Sequence, residues 1–222
     1  MYILTFDTAL DKTYVALFND SAKVFAKIIE STEDKYHSAF LIQNLVDLLK
    51  LHSLTLKDID VLGVNIGPGS FTGIRACLTI ARVIAQQLDC PLVGISSLEI
   101  LSRINKINMP VVVTMDARKG MCYYAEYSKN GEVLQEPHLE SLETVAFNDV
   151  SHVIIADVVM HNLLKEKRIN SVIYTDTNSD LGSCLAEIVI DKMKKSDNYN
   201  WAGVKPLYLQ KPSITVSKKT LL

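Results

Sequence analysis

Residues 62–75 read Leu62-Gly63-Val64-Asn65-Ile66-Gly67-Pro68-Gly69-Ser70-Phe71-Thr72-Gly73-Ile74-Arg75. The apolar run from Val61 to Ile66 has strand composition, and an apolar segment with helical spacing follows from Thr72 to Leu88. Between them lie Gly67, Pro68 and Gly69, with Gly73 just inside the helical segment, so the stretch is a strand, a tight loop and a helix start. Gly67 and Gly69 admit backbone conformations closed to other residues, and Pro68 fixes one φ between them. Ser70 or Thr72 can cap the helix. Such a loop gathers free N–H groups at the positive end of a helix dipole, which suits an anion or the close approach of another backbone. The spacing G-x-G-x-x-x-G is one residue off the dinucleotide fingerprint and lacks the Lys-Ser/Thr of a P-loop. A structural turn and a phosphate cradle both stay open.

Toward the N-terminus, three strands are expected at Tyr2–Phe6, Thr13–Phe18 and Val24–Ile29, then a helix over Lys35–His52. Toward the C-terminus come a strand, Pro91–Ile95, and a short helix through Ile104 capped by Ser96 or Ser97. This βββαβαβα order predicts an α/β fold, a mixed sheet covered by helices. The second half repeats the opening. Shifted by 109 residues, Asp7 falls on Asp116, Tyr14 on Tyr123, Ala16 on Ala125 and Val24 on Val133, without a gap. The repeat implies two related α/β halves, each beginning with a strand that ends in Asp. Strands near Val153–Ala156 and Ser171–Tyr174 and helices near Val158–Glu166 and Leu181–Lys194 complete the second half. An irregular connection spans residues 198–205, and Pro206-Leu207-Tyr208-Leu209 opens a tail expected to pack back on the body. The expected divisions are 1–104, 105–204 and a tail of 205–222.

The 222 residues, 48% apolar and 22% charged, suffice for a substantial core. A net charge of −2 offers no electrostatic footprint for nucleic acid. Four scattered cysteines (Cys77, Cys90, Cys122, Cys184), with no C-x-x-C pair, fit reduced thiols better than a disulfide frame or zinc site. The N-terminus has no basic n-region, and no stretch reaches spanning length without charge. A cytoplasmic protein away from membranes is expected.

On a helical wheel, Arg75, Thr79, Arg82 and Gln86 make one narrow polar stripe of the Thr72–Leu88 segment. Its apolar surface covers roughly twice the ~100° that a one-sided surface helix needs. The Lys35–His52 segment is similar, with Leu41, Leu45, Leu48 and Leu49 on one side. Two helices sandwiched within one domain would account for this, and so would a face kept for a partner. Asp7 and Asp116 at strand ends are either turn caps or paired acids at a cleft able to hold a metal–nucleotide. His37 has Leu41 at i+4, so no H-x-x-x-H zinc pair is present. Ser70 lacks nucleophile-elbow spacing, and no complete catalytic set is visible.

Taken in order, Ile3-Leu4-Thr5-Phe6-Asp7-Thr8, the block Gly67 to Arg75, Gly94-Ile95-Ser96-Ser97-Leu98, Asp116-Ala117-Arg118-Lys119-Gly120 and Pro206-Leu207-Tyr208-Leu209 resemble the TsaB family, also called YeaZ. The resemblance implies an actin/Hsp70/sugar-kinase-like (ribonuclease-H-like) fold of duplicated βββαβα subdomains. It implies a non-catalytic subunit in the formation of N6-threonylcarbamoyladenosine beside the tRNA anticodon. The implied partners are the catalytic subunit TsaD, whose H-x-x-x-H pair is missing here, and the ATPase TsaE. A homodimer is implied for the chain alone, and tRNA contact only through the complex. Leu41, Leu45, Ala76, Thr79, Ile80, Val83 and Gln87 are the implied interface. No metal or intrinsic cofactor is expected; ATP or ADP with Mg²⁺ would belong to a partner interface. The competing reading is an ATP-binding phosphotransferase using Asp7, Thr8, Gly67, Gly69, Ser70 and Asp116. The chain departs from the family at Gln210, where an arginine is usual, and from active members of the fold in reading Asp7-Thr8-Ala9-Leu10 where they have D-x-G.

Overall fold

Strand β1 (Tyr2–Asp7) alternates its side chains between two buried faces, as a central strand must. It pairs antiparallel with β2 (Thr13–Asn19), which pairs antiparallel with β3 (Ala22–Ile29). On its other side β1 runs parallel to β4 (Val61–Gly67), which is parallel to β5 (Leu92–Ser96). The first sheet therefore has the order β3-β2-β1-β4-β5. The computed structural model describes residues 1–19, 22–29, 40–103, 106–147, 151–174, 181–196 and 198–210, with backbone alone for 22–29. Helix α1 (Leu41–Leu51) begins where the description resumes, so the expected helical stretch 35–39, with His37, lies outside the described residues.

The second sheet is built from β6 (Val111–Arg118), β7 (Met121–Tyr127), β8 (Val133–Ser141), β9 (Val153–Ala156) and β10 (Val172–Ile173). Its order, read from β8, is β8-β7-β6-β9-β10, the same arrangement as the first sheet. The duplication is real, but not gapless. Asp7 lies opposite Tyr14, whereas Met115 lies opposite Tyr123. Tyr14 and Tyr123 are 109 residues apart; Asp7 and Met115 are 108 apart. A bulge between Asp116 and Arg118 takes up the extra residue. Asp116 thus falls one position past the counterpart of Asp7.

Three helices complete the layers: α2 (Phe71–Leu88), α3 (Ser97–Ser102) and α4 (Val158–Glu166). A fourth, α5 (Leu181–Met193), comes from the second half of the chain yet packs on β1, β2 and β4 of the first sheet. Conversely α3 packs on β6 and β7. The two helices fill the space between the sheets, in one apolar cluster with Ile3, Tyr14 and Phe18 on one side and Val113, Ala125 and Tyr127 on the other. The outer face of the first sheet is covered by α1 and α2, and that of the second by α4 and Phe147.

Candidate functional site

The glycine loop meets the β1–β2 turn backbone to backbone. Ser70 N–H donates to the Ala9 carbonyl at 2.7 Å, and Thr8 Oγ1 donates to the Gly73 carbonyl at 2.7 Å. A Cβ on Gly69 would overlap the Ala9 carbonyl oxygen, and one on Gly73 would overlap that of Thr8. Glycine is required here by the approach of the chain's own backbone. Ser70 Oγ accepts from Gly73 N–H at 3.2 Å and caps α2.

Behind the loop, Asp7 is buried at the end of β1. Its Oδ1 accepts from Ala9 N–H at 2.6 Å and its Oδ2 from Asn65 Nδ2 at 3.0 Å. Burial pushes its carboxyl up to about 6, against the pull of the Asn65 and backbone donors. Asn65 Oδ1 in turn accepts from Gly67 N–H at 2.8 Å. The single Ser97 hydroxyl proton lies between Asn65 Oδ1 (2.9 Å) and the Pro68 carbonyl (2.6 Å). The network thus ties β1, β4, the loop and α3 to one another. A phosphate needs open N–H groups and a metal–nucleotide a carboxylate with free lone pairs facing a cavity. These residues do not fit that group within this chain.

Asp116 does not join them. It lies opposite Cys122, and residues so paired share a face, here the outer one packed with Val112 and Ile154. Asp7, opposite Tyr14, shares the face between the sheets. Asp116 Oδ1 accepts from Arg118 N–H at 2.9 Å, and its own N–H donates to Asp157 Oδ2 at 2.7 Å. Asp157 caps α4 through Met160 N–H at 2.7 Å, and burial first, then the carboxylates of Asp116 and Asp11, hold its carboxyl above the usual range.

The helix after the loop has two characters. Ile74, Cys77, Leu78, Ala81 and Ala85 are buried against the sheet. Ala76 and Ile80 are half-buried, Thr79 and Gln87 exposed, and Val83 is 61% exposed. A groove of about 470 Å³ runs along this outer face, lined by Phe71, Thr72, Arg75, Ala76, Thr79 and Ile80. The C-terminal stretch contacts two of its lining residues, Phe71 and Arg75. Leu207 N–H donates to the Ile66 carbonyl at 2.8 Å, the Tyr208 ring stacks on Phe71 at 5.4 Å, and Arg75 Nε donates to the Tyr208 hydroxyl at 3.0 Å. The Arg75 guanidinium also lies 3.9 Å from the Phe71 ring centre. One step on, Gln210 Nε2 donates to the Ala117 carbonyl at 2.8 Å. A larger cleft of about 940 Å³ lies between α3, α5 and residues 198–207. Of its charged lining, Lys192 pairs with Glu99 at 3.1 Å and Arg103 with Asp191 at 3.6 Å.

A family model described as TsaD, tRNA N6-adenosine threonylcarbamoyltransferase, matches residues 23–175. The chain is 33% identical over 156 residues to the tRNA threonylcarbamoyladenosine biosynthesis protein TsaB of Escherichia coli (strain K12), over 68% of this chain and 65% of that one. It is 32% identical over 135 residues to the protein of that name from Buchnera aphidicola subsp. Schizaphis graminum, over 60% and 63%. The chain belongs to the TsaB family. In these alignments it spans slightly less than two thirds of its curated TsaB relatives. Among solved structures it is similar to YeaZ from Pseudomonas aeruginosa, with a TM-score of 0.76, 20% identity, and 94% and 99% of the two chains covered. The actin-like fold expected of a TsaB chain is therefore the fold observed.

Against this TsaB fold the expected site residues divide. Asp7, Thr8, Gly67, Gly69 and Ser70 do come together, but as an internal lock, and Asp116 faces elsewhere. Leu41 and Leu45 are corrected: both are buried in this chain's own core, because the apolar side of α1 covers the first sheet. On α1 the exposed apolar residues are instead Ile42 and Leu51. Ala76, Thr79, Ile80, Val83 and Gln87 do share the outer face of α2. Sequence reading missed Phe71, Tyr208 and Trp201 as neighbours of that face. The signal available was a pair of aromatics in an irregular stretch, Trp201 and Tyr208, seven residues apart like Arg75 and Arg82. No helix among the described residues is long and apolar enough to cross a membrane.

Proposed function

We propose that this chain is a non-catalytic subunit for the formation of N6-threonylcarbamoyladenosine on tRNA, docking on the catalytic subunit TsaD through the outer face of α2. The observation that carries this reading is the strip of exposed Thr79, Val83 and Gln87 with half-buried Ala76 and Ile80, on a helix whose opposite side already fills the core. A helix packed once needs one apolar face, and a second one fits a protein partner. The closed loop supports the same reading from the chemical side. Asp7 is buried, and it and Asn65 bond each other and the two turns beside them, which supports a structural role for the loop. In this reading ATP or ADP with Mg²⁺, and the ATPase TsaE, belong to the boundary with TsaD. The chain alone pairs with itself, and tRNA is reached through the complex.

The test is sedimentation of the chain alone and mixed with TsaD, for the wild type and for V83E and I80E. The expected outcome is a stable heterodimer that V83E weakens about 100-fold, the effect of a charge in a desolvated interface core. Complexes of wild-type affinity from both folded variants would overturn the reading. Magnesium-dependent ATP turnover by the isolated chain, lost in D7A, would establish a phosphotransferase instead.

A further inference from the structure

The larger cleft, of about 940 Å³, has the size of a small-molecule pocket and takes none of its lining from α2. Its walls come from both halves of the chain: α3, α5, the β7–β8 turn, β4, β5 and residues 198–207. Ile66, Leu92, Ile188, Val204 and Leu207 supply apolar lining. The stretch along the rim is fastened on two sides. Leu92 N–H donates to the Tyr199 carbonyl at 3.1 Å, and the Tyr199 hydroxyl donates to the Lys192 carbonyl of α5 at 3.1 Å. Arg103, the C-cap of α3, packs against Gly131 so closely that a Cβ there would stand 2.5 Å from its Cζ. Yet its buried Nε meets no acceptor, and its one ion pair, with Asp191, is 3.6 Å long. Lys195 and Lys205, both exposed, have no carboxylate partner among the described residues. With Lys192 closed on Glu99 at 3.1 Å, the one unpaired acid left in the lining is Glu132. Two spare ammoniums and an under-used guanidinium thus stand against one spare carboxylate, a balance that attracts an anion.

We propose that this cleft binds a small organic anion, an apolar body ending in a carboxylate or a phosphate. The Arg103 guanidinium takes the charged head, because either head offers the paired oxygens that its N–H fork matches. Lys195 and Lys205 add attraction, and the apolar lining covers the body. Asp191 can yield Arg103 to the ligand without being left alone, since Lys194 stands 3.7 Å from it. Gly131 and the fastened 198–207 stretch set the walls in advance, which keeps the cost of ordering low when the ligand arrives. A neutral apolar molecule would leave the guanidinium as poorly satisfied as before, and a cation would meet like charge. The inference goes beyond the TsaD reading and does not depend on it, because no residue of α2 takes part.

The experiment is a fluorescence titration of the full chain, without TsaD, using 8-anilinonaphthalene-1-sulfonate, an apolar ring system with one anionic head. N-phenyl-1-naphthylamine, the same rings without the sulfonate, is the uncharged control. Wild type, R103Q and K205Q are compared, each checked for folding by thermal melting. Lys205 is exposed, so K205Q decides the matter if R103Q does not fold. The expected result is one sulfonate probe bound per chain, about tenfold more weakly in each variant, the effect of losing one charge-assisted contact. The uncharged control should bind more weakly than the sulfonate and should not distinguish the three proteins. Displacement of the probe by octanoate or by phenyl phosphate then tells a carboxylate head from a phosphate head. Wild-type affinity in every folded variant would overturn the inference. So would equal binding of the uncharged control, or a probe that neither octanoate nor phenyl phosphate displaces.

Discussion

Asp7 illustrates how one residue can look catalytic and serve the fold. An acid at the end of a first strand, beside a glycine loop, has the placement of a metal–nucleotide ligand, but both its oxygens are taken by Ala9 and Asn65. Its carboxyl is raised from 3.8 to about 6, so the folded state holds a proton that the unfolded chain has released. The stabilisation is therefore present below about pH 4 and lost as pH rises to about 6, on the order of 3 kcal/mol at about 1.4 kcal/mol per pH unit. Urea unfolding of wild type and D7N across that range should show the wild type losing stability relative to the variant as pH rises; a constant difference would contradict it. Ser97 carries a second prediction. Ser97→Ala removes the buried donor shared by Asn65 and Pro68 and should cost about 1–3 kcal/mol, read as a lower denaturation midpoint. Gly73→Ala, which drives a methyl group into the Thr8 carbonyl, should cost at least as much.

Among the elements, α1 and α2 looked alike on the wheel and differ in the fold. Leu41, Leu45, Leu48 and Leu49 all point inward, so that arc of α1 is core while Ile42 and Leu51 stay outside, and Leu45→Ala should cost about 2–5 kcal/mol. On α2 the surplus is outside. Val83→Glu should therefore leave the melting temperature within a few degrees of wild type, since a substitution on an exposed position stays within about 0.5 kcal/mol. A large loss of stability in V83E would show the residue to be covered by the chain itself. Helical periodicity measures how much of a circumference is apolar, but cannot say which layer each arc meets. For the β1–β2 and β6–β7 hairpins the limit is of another kind. One extra residue at the Asp116–Arg118 bulge moves an acid to the opposite face of the sheet, and an ungapped shift of 109 conceals it.

For the whole molecule, the helices between the sheets come from the wrong halves. Thr5 Oγ1 of the first strand donates to the Gly182 carbonyl of α5 at 3.3 Å, across 177 residues. Glu99 of α3 pairs with Lys192 of α5 at 3.1 Å. Residues 1–104 expressed alone would expose the face that α5 covers, and should show no cooperative thermal transition, whereas the full chain should unfold in one. A cooperative melt of the fragment would refute that mutual dependence.

Local chemistry alone determined a good deal of this protein. Apolar alternation, the turn residues and the glycine block marked the strands, the loop and α2 within a residue or two, and the repeat announced two similar sheets. These are properties of neighbours along the chain, where pleat, helical period and capping act over a few residues. Only the tertiary structure decided that the glycines of the loop admit Thr8 and Ala9, that Asp7 and Asp116 face different layers, and that Leu41 and Leu45 are core. It also decided that Trp201 and Tyr208 stand beside Arg82 and Arg75. Each of these depends on which surfaces meet across some 60 to 130 residues of chain, and no local pattern encodes that meeting.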